Sequence, residues 1–359
     1  MLPTPSTSHV SYDLVYEPAE DSYLFLDTLS SPAETAWLRS RFSLPSSPRP
    51  SPLPLPGSRQ TPTPTPLPKS TPTSSLSPTP LIVEIGPGSG VVVAFLVANA
   101  KTLFGRDVLS LAVDVNPYAC RGTRTTVEKA LAEKRPERRV AGEKERGGKA
   151  VVLSENTGGD GAENGRGVSH DEDGRNEGGS IFLSSVNGDL ATPLRPGEVD
   201  VLVFNPPYVP TDSVPATPTT TRQPEPNPKP TFEEQSALLT LSYAGGPDGM
   251  QVTNRLLAQI PEVLSPRGVA YVLFCRGNRP DEVKQWIRAW EPSSLPSPPP
   301  PPPPRRSRST QSTQLTQPEI AGRAERWHWR AETVGTSGKT AGWEKLEIVR
   351  IWREWEGCG

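Results

Sequence analysis

The fold of this chain is decided by one stretch, Val201-Leu202-Val203-Phe204-Asn205-Pro206-Pro207-Tyr208. Its four consecutive apolar residues predict a buried strand. The two prolines end that strand, because proline cannot donate to a strand ladder and holds the chain extended. Open α/β sheets bind their ligands just beyond the carboxyl ends of the strands. The polar residues that follow Phe204 are therefore candidates for a binding site.

The turn at residues 205–208 has the chemistry to hold a planar amino group. Asn205 offers a side-chain carbonyl as an acceptor, and the Pro206 main-chain carbonyl is a second one. Pro207 keeps the turn rigid, and Tyr208 adds a flat aromatic face. Two acceptors and a ring suit an NH2 group whose hydrogens are both held. The alternative is a plain turn, since Asn and Pro are common turn formers.

The composition of the chain separates a compact part from four insertions. The 359 residues include 45 prolines, well above the usual share of about 5%. The excess of Pro, Gly, Ser and charged residues lies at about residues 44–80, 142–180, 214–230 and 292–318. Such segments bury too little apolar surface to offset their ordering entropy, so we expect them to be disordered. The remainder, on the order of 230 residues, predicts a single domain over 1–359 that the insertions interrupt.

Charge and cysteine usage exclude several classes of protein. The formal net charge of −2 gives no basic field for nucleic acid. The basic runs at 134–139 and 305–308 are interpreted as solvated charge. The three cysteines form no Cys-x-x-Cys pair, which argues against a metal site or a disulfide framework. Without an apolar stretch of about 18–20 residues or a leader sequence, we expect a soluble protein of the cytoplasm or nucleus.

A strand, a glycine turn and a helix form the first unit of the predicted sheet. Leu81–Ile85 precedes Gly86-Pro87-Gly88-Ser89-Gly90, and a helix is predicted over Val91–Ala98. The glycines allow the backbone to pass close to a ligand. A dinucleotide fingerprint would need Gly or Ala where Val91 stands. The pattern is instead acidic-x-Gly-x-Gly-x-Gly, with Glu84 as the acid.

Two more acidic residues follow predicted strands. Asp114 comes after the strand Val108–Val113, where an acid can accept both ribose hydroxyls of an adenosine. The alternative is a cap for the helix predicted over Pro117–Glu133. Asp189 follows the strand Ile181–Val186 and could accept from an adenine amino group, or it could be a turn aspartate.

The remaining elements complete an alternating α/β pattern. A helix is predicted to begin near Pro18 and to continue past Trp37. Further predictions are helices over Met250–Leu264 and Asp281–Trp290, a strand over Val269–Cys275 after a turn at 265–268, and an antiparallel pair over Arg330–Val334 and Leu346–Trp352.

These motifs, in this order, resemble the class I S-adenosylmethionine-dependent methyltransferases. Three segments look like a narrower family: Tyr16–Ser22, Val203–Val209 and Ala244–Gly249. This family is the eukaryotic and archaeal release-factor glutamine methyltransferase catalytic subunits, which are related to the bacterial HemK-type enzymes. The resemblance covers essentially all of the chain outside the insertions. Pro87 departs from the small residue often seen in the glycine turn, which the flanking glycines should tolerate.

The resemblance implies a Rossmann-like seven-stranded α/β sheet and an S-adenosylmethionine site. Asp114 and Val115 would hold the ribose, and Asp189 with Leu190 the adenine. Ser22 and the preceding loop would close over the methionine end. The residues that would line the methionine and ribose side are Glu84, Gly86, Gly88 and Gly90.

The resemblance also implies a substrate and a partner. The substrate would be the glutamine of the Gly-Gly-Gln loop of class I release factor, with the turn Asn205-Pro206-Pro207-Tyr208 as the catalytic and substrate-binding element. A small zinc-binding activator would add a strand to the sheet, and we expect it to dock on an edge carrying Leu109–Val113 and Tyr118.

Three other functions stay open at this stage. An adenine-N6 methyltransferase on DNA or RNA would use the same acceptors, because the adenine amino group is also planar. A protein-lysine methyltransferase would offer no planar amide to this turn. A non-catalytic scaffold would have no need for Glu84, Asp114, Asp189 and Asn205 together. No histidine is assigned as a general base, since His9, His170 and His328 fall in tails or beside insertions.

Overall fold

The structure is a computed structural model that describes the chain outside its insertions. The described residues are 2–43, 78–134, 179–216, 230–291, 327–338 and 345–356. The four predicted insertions lie almost wholly outside these ranges, so their predicted disorder stays a prediction.

Within the described residues, seven strands form one sheet. They are β1 (Leu81–Ile85), β2 (Leu109–Asp114), β3 (Ile181–Asn187), β4 (Val199–Phe204), β5 (Leu264–Cys275), β6 (Trp327–Thr336) and β7 (Leu346–Trp355). Their order across the sheet is β3-β2-β1-β4-β5-β7-β6. The first five strands pair in parallel, while β7 is antiparallel to both of its neighbours. The predicted Rossmann-like seven-stranded α/β sheet is confirmed.

The described helices cover both faces of this sheet. They are α1 (Glu20–Leu29), α2 (Pro32–Ser43), α3 (Val91–Ala98), α4 (Ala100–Phe104), α5 (Pro117–Lys134), α6 (Phe232–Tyr243), α7 (Gln251–Val263) and α8 (Pro280–Arg288). None of the helices in the described ranges is long and apolar enough to cross a membrane.

The central strand β4 shows why an unbroken apolar run is needed here. Val201 and Val203 pack into the hydrophobic cluster that contains α1 to α3. Leu202 and Phe204 pack into the opposite cluster, which contains α7. All six residues of the strand are buried, because a parallel strand with helices on both faces has no solvent side. The strand order reverses between β1 and β4, and a ligand crevice is expected at such a point.

The prediction of a single long N-terminal helix is wrong. The structure has two helices, since α1 ends at Leu29 and α2 begins at Pro32. The main-chain amide of Ser30 donates to Leu26, which closes the last turn of α1. The residue before a proline disfavours helical backbone, so Pro32 separates the helices and opens the second one.

The prediction that the activator docks on an edge formed by Leu109–Val113 is also wrong, because this strand does not lie at an edge of the sheet. Leu109–Asp114 forms β2, which pairs with β1 on one side and with β3 on the other. Among the strands that the structure describes, β3 is the edge strand on this side of the sheet. The resemblance led us to expect a docking edge at these residues, but the order of the strands is not visible in the pattern of any single strand. Ile181 and Leu183 of β3 are 54% and 53% exposed.

Other differences are in element bounds. β5 begins at Leu264 instead of Val269, and residues 265–268 bulge opposite Asp200. The antiparallel pair is confirmed, and both of its strands are longer than predicted. Helices α4 and α6 were not predicted. In α6 the apolar residues do not fall on one face, so the sequence carries no clear helical period there.

A buried ion pair fastens α2 to the sheet. Nη1 of Arg350 on β7 donates to both carboxylate oxygens of Glu34, at 3.0 and 2.9 Å. The Tyr271 hydroxyl of β5 donates to the same carboxylate. The Arg350 guanidinium also lies 4.0 Å from the ring centroid of Trp37. These contacts fix the N-terminal helices, and with them the segment that leads to the crevice.

Candidate active site

A cavity of about 280 Å³ opens at the carboxyl ends of β1, β2 and β4. Its walls include almost every residue that the sequence singled out. The predicted residues that line it are Ser22, Glu84, Gly86, Gly88, Asp114, Val115, Asp189, Leu190, Asn205, Pro206 and Pro207. The topology therefore brings together residues that are far apart in the sequence.

The glycine turn forms the floor of the cavity between β1 and α3. Gly86, Gly88 and Gly90 all have positive φ, at 59°, 54° and 79°. Gly90 does not itself line the cavity, and its role is packing. A Cβ at this position would lie 2.6 Å from Thr123 Cα of α5. Only glycine combines the left-handed backbone with this close approach of two helices.

Glu84 lies at the end of β1 and is 2% exposed. Its Oε2 accepts a hydrogen bond from the Val93 amide in the first turn of α3, at 2.7 Å. The pKa of Glu84 is raised to about 8, chiefly by burial and to a lesser degree by the nearby Asp114 carboxylate, while the hydrogen bond from the Val93 amide lowers it. A buried carboxylate at this position is suited to a ligand that brings hydrogen-bond donors or positive charge.

Asp114 lies at the end of β2 and is held by two main-chain amides. Its Oδ1 accepts from Asn116 at 2.8 Å, and its Oδ2 accepts from Gly88 at 3.2 Å. Burial raises the pKa of Asp114 to about 6, while these two hydrogen bonds lower it. Asp114 does not cap α5, because the side chain that accepts from the first turn of that helix is Asn116, whose Oδ1 accepts from the Tyr118 amide at 2.9 Å. The Gly88 contact couples the carboxylate to the glycine turn, so the acid also faces the cavity.

Asp189 also lines the cavity, and its side chain is half exposed. Its carboxylate is paired with Arg255 of α7, a residue that sequence reasoning missed. Leu190 is 6% exposed and has a positive φ of 51°. Its strained backbone places a buried apolar side chain beside the half-exposed acid.

Asn205 presents an acceptor that has no partner. Its Oδ1 is buried and receives no hydrogen bond within the described part of the chain. A buried polar atom without a partner is costly unless a ligand satisfies it. Pro206 and Pro207 continue the same wall of the cavity. The side-chain carbonyl oxygen of Asn205 therefore lies on the cavity wall and is available to accept a hydrogen bond from a bound NH2 group.

Tyr208, the aromatic residue of the turn, does not share the cavity wall with the three residues before it. Tyr208 does not line the cavity wall, and its half-buried ring packs against the hydrophobic cluster of α1 to α3. Burial and the Asp21 carboxylate raise the pKa of its hydroxyl above the usual range. Asp21 is 4% exposed, lines the cavity, and accepts from the Ser22 amide at 2.6 Å.

Several other lining residues carried no sequence signal. Leu238, Leu241 and Ser242 of α6 close one side of the cavity. Their helix was not predicted, so their place could not be. No group of three or more His, Cys, Asp or Glu side chains that could hold a metal ion occurs among the described residues.

Two eukaryotic relatives match most of the chain. Methyltransferase HEMK2 of Mus musculus is 26% identical over 286 residues, which is 79% of this chain and 83% of that protein. The eRF1 methyltransferase catalytic subunit mtq2 of Schizosaccharomyces pombe is 26% identical over 286 residues, or 78% of this chain and 81% of that protein. The chain is similar to the HemK-like methyltransferases over most of its length.

Other comparisons are shorter or weaker. The release factor glutamine methyltransferase of Moorella thermoacetica is 34% identical over 98 residues, 27% of this chain and 30% of that protein. No family model matches the chain. The solved structure of the E. cuniculi Mtq2-Trm112 complex covers 95% of this chain and 99% of its own at 16% identity, with a TM-score of 0.38. At that TM-score the superposition adds no argument, and the fold rests on the strand order.

Proposed function

We propose that this HemK-like methyltransferase uses S-adenosylmethionine to methylate the side-chain amide nitrogen of a glutamine, in the Gly-Gly-Gln loop of a class I release factor. The observation that carries the proposal is the buried Oδ1 of Asn205, which lacks a hydrogen-bond partner and lies on the wall of the cavity. The choice of release factor as the substrate is supported by one of the two relatives that match most of the chain, since that relative is an eRF1 methyltransferase catalytic subunit.

The amide nitrogen of glutamine is a poor nucleophile because its lone pair is shared with the carbonyl. Asn205 and the Pro206 carbonyl would each accept one hydrogen of the NH2 group and so fix its orientation. The nitrogen would then be oriented toward the methyl donor. The rate gain would come from positioning and from fixed dipoles. As the nitrogen gains the methyl group it would release one of its two protons to water, so no strong base on the protein is required.

The residues of the cavity fit S-adenosylmethionine. The glycine turn brings open backbone to the cavity floor, and two buried carboxylates flank it at Glu84 and Asp114. Asp114 would accept from ribose hydroxyls, and Asp189 with Leu190 would contact the adenine. Glu84 and Ser22 would lie toward the methionine end. When bound, the cofactor supplies a methyl group on a positively charged sulfur.

The protein would work as a heterodimer with a small zinc-binding activator. Exposed apolar side chains on an edge strand favour pairing with another chain. Ile181 and Leu183 on β3 have this property, and they replace β2 as the candidate docking edge. A second chain that continues the sheet there would cover both side chains.

The test is a methyl-transfer assay on purified release factor, with the activator co-expressed and the product peptide analysed by mass. Methylation of the Gly-Gly-Gln glutamine that is lost in Asn205→Ala is the expected result. Transfer to an adenine-containing oligonucleotide instead, or to lysine, would refute the proposed substrate while keeping the enzyme class.

A further inference from the structure

The main-chain carbonyl of Tyr208, the last residue of the catalytic turn (residues 205–208), is held by a residue that lies outside the cavity. The turn runs beside the segment Gly245–Gly249, which was matched to the family without a role. The Val209 amide donates to the Tyr243 carbonyl at 3.0 Å, and the Gly245 amide donates to the Val209 carbonyl at 2.8 Å. These two hydrogen bonds lay the chain after the turn alongside the glycine-rich segment.

Asn278 joins the two segments to the end of β5. It is 3% exposed and lies in the single turn that follows Cys275. Its Oδ1 accepts from the Cys275 amide at 2.9 Å. Its Nδ2 donates to the Asp248 carbonyl at 3.0 Å and to the Tyr208 carbonyl at 3.4 Å. The side chain uses its oxygen and both amide hydrogens, which only an amide can do here.

The packing around Asn278 leaves no room for a different arrangement. Gly249 has a φ of +67°, and a Cβ there would overlap the Tyr208 carbonyl oxygen and lie 2.8 Å from Asn278 Nδ2. The neighbouring Asp248 and Arg279 hold positive φ angles of 57° and 51°. Strained backbone of this kind persists only where surrounding contacts over-determine it, and it is concentrated at functional sites.

We propose that Asn278 is a positioning residue for methyl transfer. It anchors the Tyr208 carbonyl to the Gly245–Gly249 segment and to β5, so that Asn205 and Pro206 keep their acceptors aimed at the substrate amide. The proposal rests on the function proposed above and assigns a role to residues that do not touch the cofactor cavity.

The decisive variant is Asn278→Asp, which keeps the shape and the acceptor for Cys275. It replaces both donated hydrogen bonds with a carboxylate oxygen that faces two carbonyls. We expect kcat to fall about 10- to 100-fold, the effect of a small displacement in a positioned site. The dissociation constant for S-adenosylmethionine, measured by calorimetry, should be unchanged. The Val209 amide should exchange its hydrogen faster than in the wild type.

Asn99→Asp is the matched control, because Asn99 is also buried and donates to a carbonyl, Phe95, away from the turn. It should keep kcat and the protection of Val209 even if the protein is less stable. Wild-type kcat in Asn278→Asp, or equal losses of kcat in both variants, would overturn the proposal. If Asn278→Asp does not fold, the same measurements are made on Asn278→Ser, which introduces no charge, and the same outcomes support or overturn the proposal.

The hydrogen-exchange measurement separates two kinds of failure. A wild-type protein that does not methylate release factor would refute the proposed substrate. Faster exchange at Val209 in Asn278→Asp alone would then still support the anchoring role, and unchanged exchange would refute it.

Discussion

The carboxylate of Glu84 accepts a hydrogen bond from the main-chain amide of Val93 at 2.7 Å. This contact links the end of β1 to the first turn of α3 directly below the cavity. Because Glu84 is buried, its pKa rises to about 8, and Asp114 at the end of β2 has a pKa of about 6. The ligand-free site therefore takes up protons in the neutral range.

The affinity for S-adenosylmethionine should depend on pH. The cofactor brings hydroxyl donors and positive charge, which favour the ionised carboxylates. We expect the dissociation constant to fall as pH rises from 6 to 8 through the pKa values of Asp114 and Glu84. Calorimetry in buffers of different ionisation enthalpy would also detect proton release on binding. A dissociation constant that does not change over this range would contradict the assignment.

Glu84→Gln should bind the cofactor more weakly and yet be more stable when ligand-free above pH 8. Glu84 ionises near 4.5 in the unfolded chain and near 8 in the fold. Its stabilising contribution is thus present below pH 4.5 and is lost as pH rises through 8. Glutamine can still accept from Val93 but does not titrate. Melting temperatures of both proteins from pH 4 to 9 should diverge with rising pH, and parallel curves would contradict this.

Asn205→Ala should lose kcat by about 100-fold or more, as expected when a fixed electrostatic contact to the reacting group is removed. Cofactor affinity should stay near that of the wild type, because the role proposed for Asn205 is to hold the substrate amide and not the cofactor. Asn254→Ala, at an exposed position on α7, is the control that should keep full activity. Retained turnover in Asn205→Ala would refute the positioning mechanism.

Breaking the Glu34–Arg350 pair should destabilise the protein strongly. Both side chains are largely buried, so Arg350→Met leaves a carboxylate without its partner, at a cost of about 3–5 kcal/mol in the free energy of unfolding. Arg330→Met removes the exposed Arg330–Glu332 pair on β6 and should cost less than about 1 kcal/mol. Urea unfolding of the two variants measures the difference, and equal losses would contradict the role of burial.

Leu183→Glu should prevent formation of the heterodimer. The charge would lie in the middle of the edge strand β3, where a second chain would have to cover it. His328→Glu on β6, at the opposite edge of the sheet, should leave assembly intact. Co-purification of both variants with the activator tests this, and normal assembly of Leu183→Glu would move the docking surface elsewhere.

The sequence predicted the acids and glycines of the site because each lies at or after the end of a strand, and each of those strands is recognisable from its own run of apolar residues. Glu84, Asp114 and Asn205 stand at or after apolar runs, and parallel strands bring such positions to one edge of a sheet. The N-terminal helix was predicted too long because the prediction gave no weight to Pro32, and the residue before a proline disfavours helical backbone. Helix α6 was missed because its apolar residues have no clear period.

The sequence by itself determined the order of the chemical groups and the strand-turn-helix units that carry them. These follow from local rules, namely runs of apolar residues, proline as a strand end and glycine at positive φ. Only the tertiary structure decided that β3 forms the edge, that Arg255 pairs with Asp189 and that Asn278 anchors the catalytic turn. Each of these joins residues that are distant in the chain. The raised pKa values of Glu84 and Asp114 arise in the same way, because burial is set by what packs around a residue.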